Sequence, residues 1–143
     1  MNRCSKFILL TLMGGLTLGP AACRRSDPRA VYPVSGAVFY NGKPAEGAQV
    51  TFVPRDQNDP KTPQPGAQVR RNGSFRLNTY ASYDGAPAGH YAVTIIYRSP
   101  ERKENDENVG PDLLRGRYAD PKTTPLAAEV TAEKNDLAPF QIN

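Results

Sequence analysis

Few residues in this chain have the type and spacing that chemistry requires. There is one histidine, His90, in 143 residues, and imidazole is the side chain that titrates closest to neutral pH. It falls inside the alternating run GHYAVTIIY at 89–97, where it reads as an ordinary strand residue rather than a general base. Asp56, Asn58 and Asp59 suggest a calcium loop. Such a loop needs spaced oxygen ligands, a glycine at the sharp turn and a closing bidentate Glu, and RDQNDPKTPQP at 55–65 contains neither Gly nor Glu. Two cysteines, Cys4 and Cys23, with a single histidine cannot complete a structural zinc site. No pair of carboxylates stands on one rigid element in a way that suggests shared acid–base work. The expectation is therefore no catalytic residue, no metal and no cofactor.

Cys23 is the exception, because of what precedes it. Arg3 and Lys6 are followed by the apolar stretch Phe7 to Leu18, which is shorter than the roughly 20 residues needed to span a bilayer. That pattern predicts a signal peptide rather than a transmembrane helix. The sequence Pro20-Ala21-Ala22-Cys23 resembles a bacterial lipobox, in which small residues precede a cysteine that is lipidated and becomes N-terminal. Pro20 stands where Leu is usual. Ordinary cleavage after Ala22 fits no better, since it asks for a small residue at the same place. The resemblance implies a thioether-linked diacylglyceride on Cys23, usually with a further acyl chain on its amine, and two or more chains anchor stably. Arg24 after the cysteine leans toward an outer membrane.

The expected organisation is a signal peptide at 1–22, a polar tether at 23–30 and one domain at 31–143, lipid-anchored at a cell envelope. Loss of the leader removes Arg3 and Lys6, leaving 16 basic against 14 acidic residues. Basic residues gather only in short pairs such as Arg24-Arg25 and Arg70-Arg71. That is not the concentrated footprint of a nucleic-acid binder, and no nucleic-acid partner is expected.

The elements that would position any site are short strands. In VYPVSGAVFY, Val34, Gly36, Val38 and Tyr40 share a face, and in AQVTFVP so do Ala48, Val50 and Phe52. Asn41-Gly42 between them is a hairpin signal, so the two runs are expected to pair antiparallel. Gly36 would admit the opposite sheet or mark a bulge. Arg55 to Pro65 reads as an exposed loop. In GAQVRRNGSFRLNT, a three-residue loop Arg71-Asn72-Gly73 pairs Val69 with Phe75 and Ala67 with Leu77, predicting a type I turn with Gly73 in a bulge. GHYAVTIIY is the central strand, with Tyr91, Val93, Ile95 and Tyr97 on one face. Arg98 to Asn108 is a charged loop. Leu113, Leu114 and Tyr118 are expected to pack, and Asp120-Pro121 to turn. Leu126, Ala128 and Val130 should pair with Ile142, Phe140 and Ala138 in a terminal hairpin turning at Lys134 to Asp136. Pro139, which has no N–H, should make its strand an edge or point outward.

About seven short strands without a helix predict an all-β fold, an antiparallel Greek-key β-sandwich. VSGAVFYNGKPAEGAQVTFVP, NGSFRL and PAGHYAVTII resemble the carboxypeptidase regulatory-like domain, a transthyretin-like sandwich, with Asn72 where that family usually has Asp. RYADPKTTPLAAEVT and LAPFQI are similar to the ends of small bacterial envelope lipoproteins built from this one domain. The resemblance implies a noncatalytic module that contacts an envelope protein or a glycan. The candidate contacts are the loops Arg55 to Pro65, Tyr80 to Pro87 with Tyr80 and Tyr83, and Arg98 to Asn108. One alternative is a structural envelope component that self-assembles through an edge strand. Another is a hydrolase of the transthyretin-like kind. Hydroxyisourate hydrolases use histidines, an Arg and a C-terminal Tyr-Arg-Gly-Ser, whereas this chain has only His90 and ends Phe140-Gln141-Ile142-Asn143.

Overall fold

The computed structural model describes residues 30–56, 59, 61–99 and 110–143. Cys23, Asn58 and the loop 100–108 lie outside them, as does the tether up to residue 29. The described chain is all-β: β1 Val34–Tyr40, β2 Lys43–Pro44, β3 Gln49–Pro54, β4 Gly66–Gln68, β5 Ser74–Arg76, β6 Gly89–Ile96, β7 Ala127–Val130, β8 Asn135–Asp136 and β9 Phe140–Ile142. These are nine strands where about seven were expected, because β2 and β8 are two-residue pieces.

Two sheets share one core. In the first, β1 has β2 and β5 antiparallel to it and β8 and β9 parallel to it. The second is antiparallel throughout, in the order β4-β3-β6-β7. β6 is central, as its alternation predicts: it pairs with β3 from Gln49↔Ile96 to Pro54↔Tyr91, and with β7 on its other side. Tyr91, Val93 and Ile95 point into the core. The Tyr91 hydroxyl donates to the Pro87 carbonyl at 2.7 Å, and burial first, then Tyr80, push this phenol up to about 12.

The layers meet through aromatic rings. Phe52 of β3 lies 6.4 Å from Phe75 of β5 and 5.6 Å from Tyr91, and Phe75 stacks on Phe140 at 6.3 Å. Phe52 and Phe75 are fully buried, and burial of each stabilises the fold by about 2–3 kcal/mol. Gly36 makes this packing possible, since a Cβ there would stand 2.6 Å from the Phe75 ring. The ring comes from the adjacent strand of the same sheet, Gly36 being paired with Phe75, and not from the opposite sheet.

Several sequence expectations need correcting. Asn41-Gly42 does form a tight turn, with φ of 49° and 78°, but it returns the chain only as Lys43-Pro44. Ala45 and Ala48 are then completely buried as the chain crosses to the second sheet, where β3 takes β4 and β6 as partners instead of β1. The terminal hairpin does not form either. β7 pairs with β6, whereas β8 and β9 run parallel to β1 in the other sheet. The expected faces survive this rearrangement for Val130, Ile142 and Phe140, but Ala138 is exposed. Between β8 and β9 the offset against β1 grows by one residue, so the stretch containing Pro139 is a bulge. Leu113 is 38% exposed while Leu114 and Tyr118 pack. Pro65, expected in an exposed loop, is buried, and its carbonyl accepts the Phe52 N–H at 2.8 Å.

Candidate functional site

The segment 66–78 builds one wall of a cleft. The Gly73 N–H donates to the Arg70 carbonyl and the Arg70 N–H to the Ser74 carbonyl, both at 2.8 Å, and Gly73 has φ +85°. This is the expected three-residue turn with its glycine bulge. Four residues further along each strand, Gly66 and Asn78 exchange backbone bonds of 3.0 and 2.9 Å. Between the two closures the strands splay, β4 joining the second sheet and β5 the first. Val69, Phe75, Ala67 and Leu77 all turn into the core. Gln68, Arg70, Arg76 and Asn78 therefore share the outward face.

The facing wall is the loop 78–86, tied down by one carboxylate. Asp84 accepts the N–H groups of Thr79 at 2.7 Å, Tyr80 at 2.8 Å and Ala81 at 2.9 Å. Desolvation works upward on this carboxyl, but those backbone donors outweigh it and hold it below the ordinary Asp value. The Tyr83 N–H donates to Asn78 Oδ1 at 2.5 Å, which fixes Tyr83 at φ 62°, a left-handed conformation that a bulky residue adopts only when its surroundings impose it. Gly85 follows at φ +99°, and a Cβ there would lie 1.7 Å from the Tyr32 carbonyl oxygen. Tyr32 and Ala86 exchange backbone bonds beside it, so the loop is fastened to the start of the domain.

The outcome is a convergence of cations on one ring. Arg70 lies 5.1 Å and Arg76 5.2 Å from the Tyr83 ring centre, and Arg71 completes an open concavity of about 510 Å³. Each cation–π contact at an exposed site is worth about 0.5–1 kcal/mol. The two guanidiniums are no more than about 10 Å apart, close to one Debye length at physiological salt, so they repel each other. Among the described residues the ion pair found is Lys134 with Asp136, at 2.9 Å. Glu46 lines the cleft but is not within ion-pair reach of any of the three arginines. A site with three exposed guanidiniums and no acid upon them is arranged for a carboxylate, phosphate or sulfate group.

A second hollow differs in chemistry. His90 is exposed at the start of β6, opposite Glu129 of β7, and its carbonyl accepts the Arg55 N–H at 2.9 Å. Asp56 and Glu129 line the same shallow hollow as His90 and Arg55, so charges of both signs meet there. No group of three metal-ligating side chains occurs among the described residues. Tyr80 is 57% exposed and Tyr83 49%, and only Tyr83 meets the arginines.

Sequence reasoning singled out the Arg70-Arg71 pair and Tyr83 but did not join them, and it passed over Arg76, Gln68 and Asn78. The signal was present in the hairpin register. Pairing Val69 with Phe75 necessarily sets Gln68 opposite Arg76 on the outward face. The approach of Tyr83 across that face depends on Asp84 and Gly85, and no periodicity announces it.

No family model matches the chain, and no curated protein does. Among solved structures the chain is similar to a 9R-lipoxygenase from Cyanothece PCC8801, with 13% identity and a TM-score of 0.41 over 82% of this chain and 17% of that one. The chain thus spans about a sixth of that protein's length, and a likeness so loose carries no argument about activity.

Proposed function

We propose that this chain is a noncatalytic binding module of a bacterial cell envelope, lipid-anchored through Cys23, that takes an acidic group of a protein or glycan partner in the Arg70–Arg71–Arg76 cleft. The observation that carries this reading is the convergence of the Arg70 and Arg76 guanidiniums on Tyr83, with Arg71 lining the same cleft and no described acid paired with any of the three. Arginine's planar fork suits bidentate contact with carboxylate or phosphate. The anchor rests on the lipobox resemblance at Ala21, Ala22 and Cys23. The fold that accompanies this reading is a Greek-key, transthyretin-like sandwich. It is supported by the way the chain passes between the two sheets four times, after β2, β4, β5 and β7.

Crosslinking and affinity capture of the full-length protein from native membranes tests the cleft. The parent should recover a reproducible acidic partner that an Arg70→Ala/Arg76→Ala variant loses, and equal recovery by both would sink the proposal. A Cys23→Ser protein should leave the membrane fraction, and its retention there would refute the tether. A second reading, self-assembly by strand addition, has one observation in its favour: among the described strands β7 pairs on one side only. Size-exclusion chromatography separates the two, because self-assembly requires a concentration-dependent oligomer in the absence of any partner.

A further inference from the structure

We infer that the ligand of this cleft is an acidic sugar, one carrying a carboxylate together with free hydroxyls, rather than an acidic peptide or a simple anion. This rests on the proposal that the cleft takes an acidic group and narrows it to one class. Three features of the lining point the same way.

The first is the mixture of donors and acceptors. A bare phosphate, or a row of Asp and Glu side chains, is made of acceptors alone, and guanidiniums would suffice for it. Here Gln68 and Asn78 add amides, and Glu46 adds a carboxylate that joins none of the arginines. Asn78 Oδ1 already accepts the Tyr83 N–H, which leaves its amide donors for the cleft or for solvent. A carboxylate can accept from hydroxyls and side-chain amides can do both, so a polyhydroxylated acid has a partner for every one of these groups. An acidic peptide would bring the same negative charge against Glu46 but no hydroxyl to donate to it.

The second is size. About 510 Å³ falls in the range of small-molecule pockets and is far more than one inorganic anion fills. The third is the lack of an exposed aliphatic anchor in the lining. Protein partners are usually held by an aromatic or aliphatic anchor seated in a dry pocket, but Val69 is 98% buried beneath the cleft floor and the remaining side chains in the lining are polar or aromatic. Tyr83 itself is occupied in holding Arg70 and Arg76, which keeps the two forks in place before any ligand arrives.

The test uses the full-length protein in detergent, titrated calorimetrically with tetragalacturonate, maltotetraose and tetraglutamate. Tetragalacturonate should bind saturably and at least tenfold more tightly than either of the others, and Arg76→Ala should weaken it at least tenfold. Glu46→Ala supplies the sharper readout: it should weaken tetragalacturonate severalfold while strengthening tetraglutamate, because it relieves repulsion for both ligands but removes an acceptor that only the sugar hydroxyls use. Tetraglutamate binding as tightly as tetragalacturonate would overturn the sugar while leaving the acidic-group reading in place. Maltotetraose binding equally well, or no binding by any of the three, would overturn both. Glu46→Ala strengthening both acidic ligands would remove the acceptor role and the inference with it. Circular dichroism of each variant against the parent establishes that these exposed changes leave the fold intact.

Discussion

The segments 66–78 and 126–142 carry the same alternating pattern, yet one closes on itself and the other is divided between two sheets. In the first, Asn72 and Gly73 settle the matter locally. Asn72 Oδ1 accepts the Ser74 N–H at 3.0 Å, and Gly73 takes φ +85° without steric cost. In the second there is no glycine, and Asn135 does something else. Buried to 7% exposure, its amide donates to the carbonyls of Thr131 at 3.1 Å and Glu133 at 2.6 Å, while its Oδ1 accepts the Thr131 N–H at 2.9 Å. Those bonds wind 131–135 into a loop that carries the chain across the core instead of reversing it. Alternation thus reports which face is buried, and turn chemistry reports which strand will be the neighbour.

The sharpest way to probe the contrast is through the two stacked rings, one from each segment. Phe75→Ala should cost about 3–5 kcal/mol, whereas Phe140→Ala should cost roughly half as much because its ring is only partly buried. Chemical denaturation measures both, and equal costs would mean that the return strand is as deeply committed as the hairpin. Next come the two asparagines. Asn135→Ala strips several bonds from a buried loop and should cost about 2–3 kcal/mol, against about 1 kcal/mol or less for the exposed Asn72→Ala. A reversal of that order would place the decisive signal in the hairpin turn after all. Gly73→Ala should cost about 1–2 kcal/mol, since an L side chain is strained at its φ, and its new methyl would also sit 3.3 Å from Pro44 Cβ.

The smallest effect concerns the loop that faces the hairpin. Asp84 is held below the ordinary carboxyl value of 3.8, so its contribution is full above that value and is lost as the pH falls through its own lower one. Hydrogen exchange of the Thr79, Tyr80 and Ala81 amides, corrected for intrinsic rate, should show protection at pH 6 that fades toward pH 2. Asp84→Asn should flatten this dependence, and an unchanged profile would assign the loop's order to other bonds.

Legibility followed the same division. The all-β class, most of the buried faces, the centrality of β6 and the register of 66–78 could be read from alternation and from Asn72-Gly73. The partners of β1 could not. Asn41-Gly42 gives a sound turn, but Pro44 and the buried Ala45 immediately carry the chain out of the sheet, and nothing in a period of two marks such a departure. The cleft was half legible: Arg70 and Arg71 stand side by side in the sequence, while Arg76 joins them only through the register and Tyr83 only through the Asp84-fastened loop.

β9 lies alongside β1, with Val38 beside Phe140 and Tyr40 beside Ile142. More than a hundred residues separate these neighbours, and such distant pairing is slow to form. A nascent polypeptide emerging amino end first would therefore leave this flank of β1 without its neighbour until residue 142 had been released, and open to proteases in the interval.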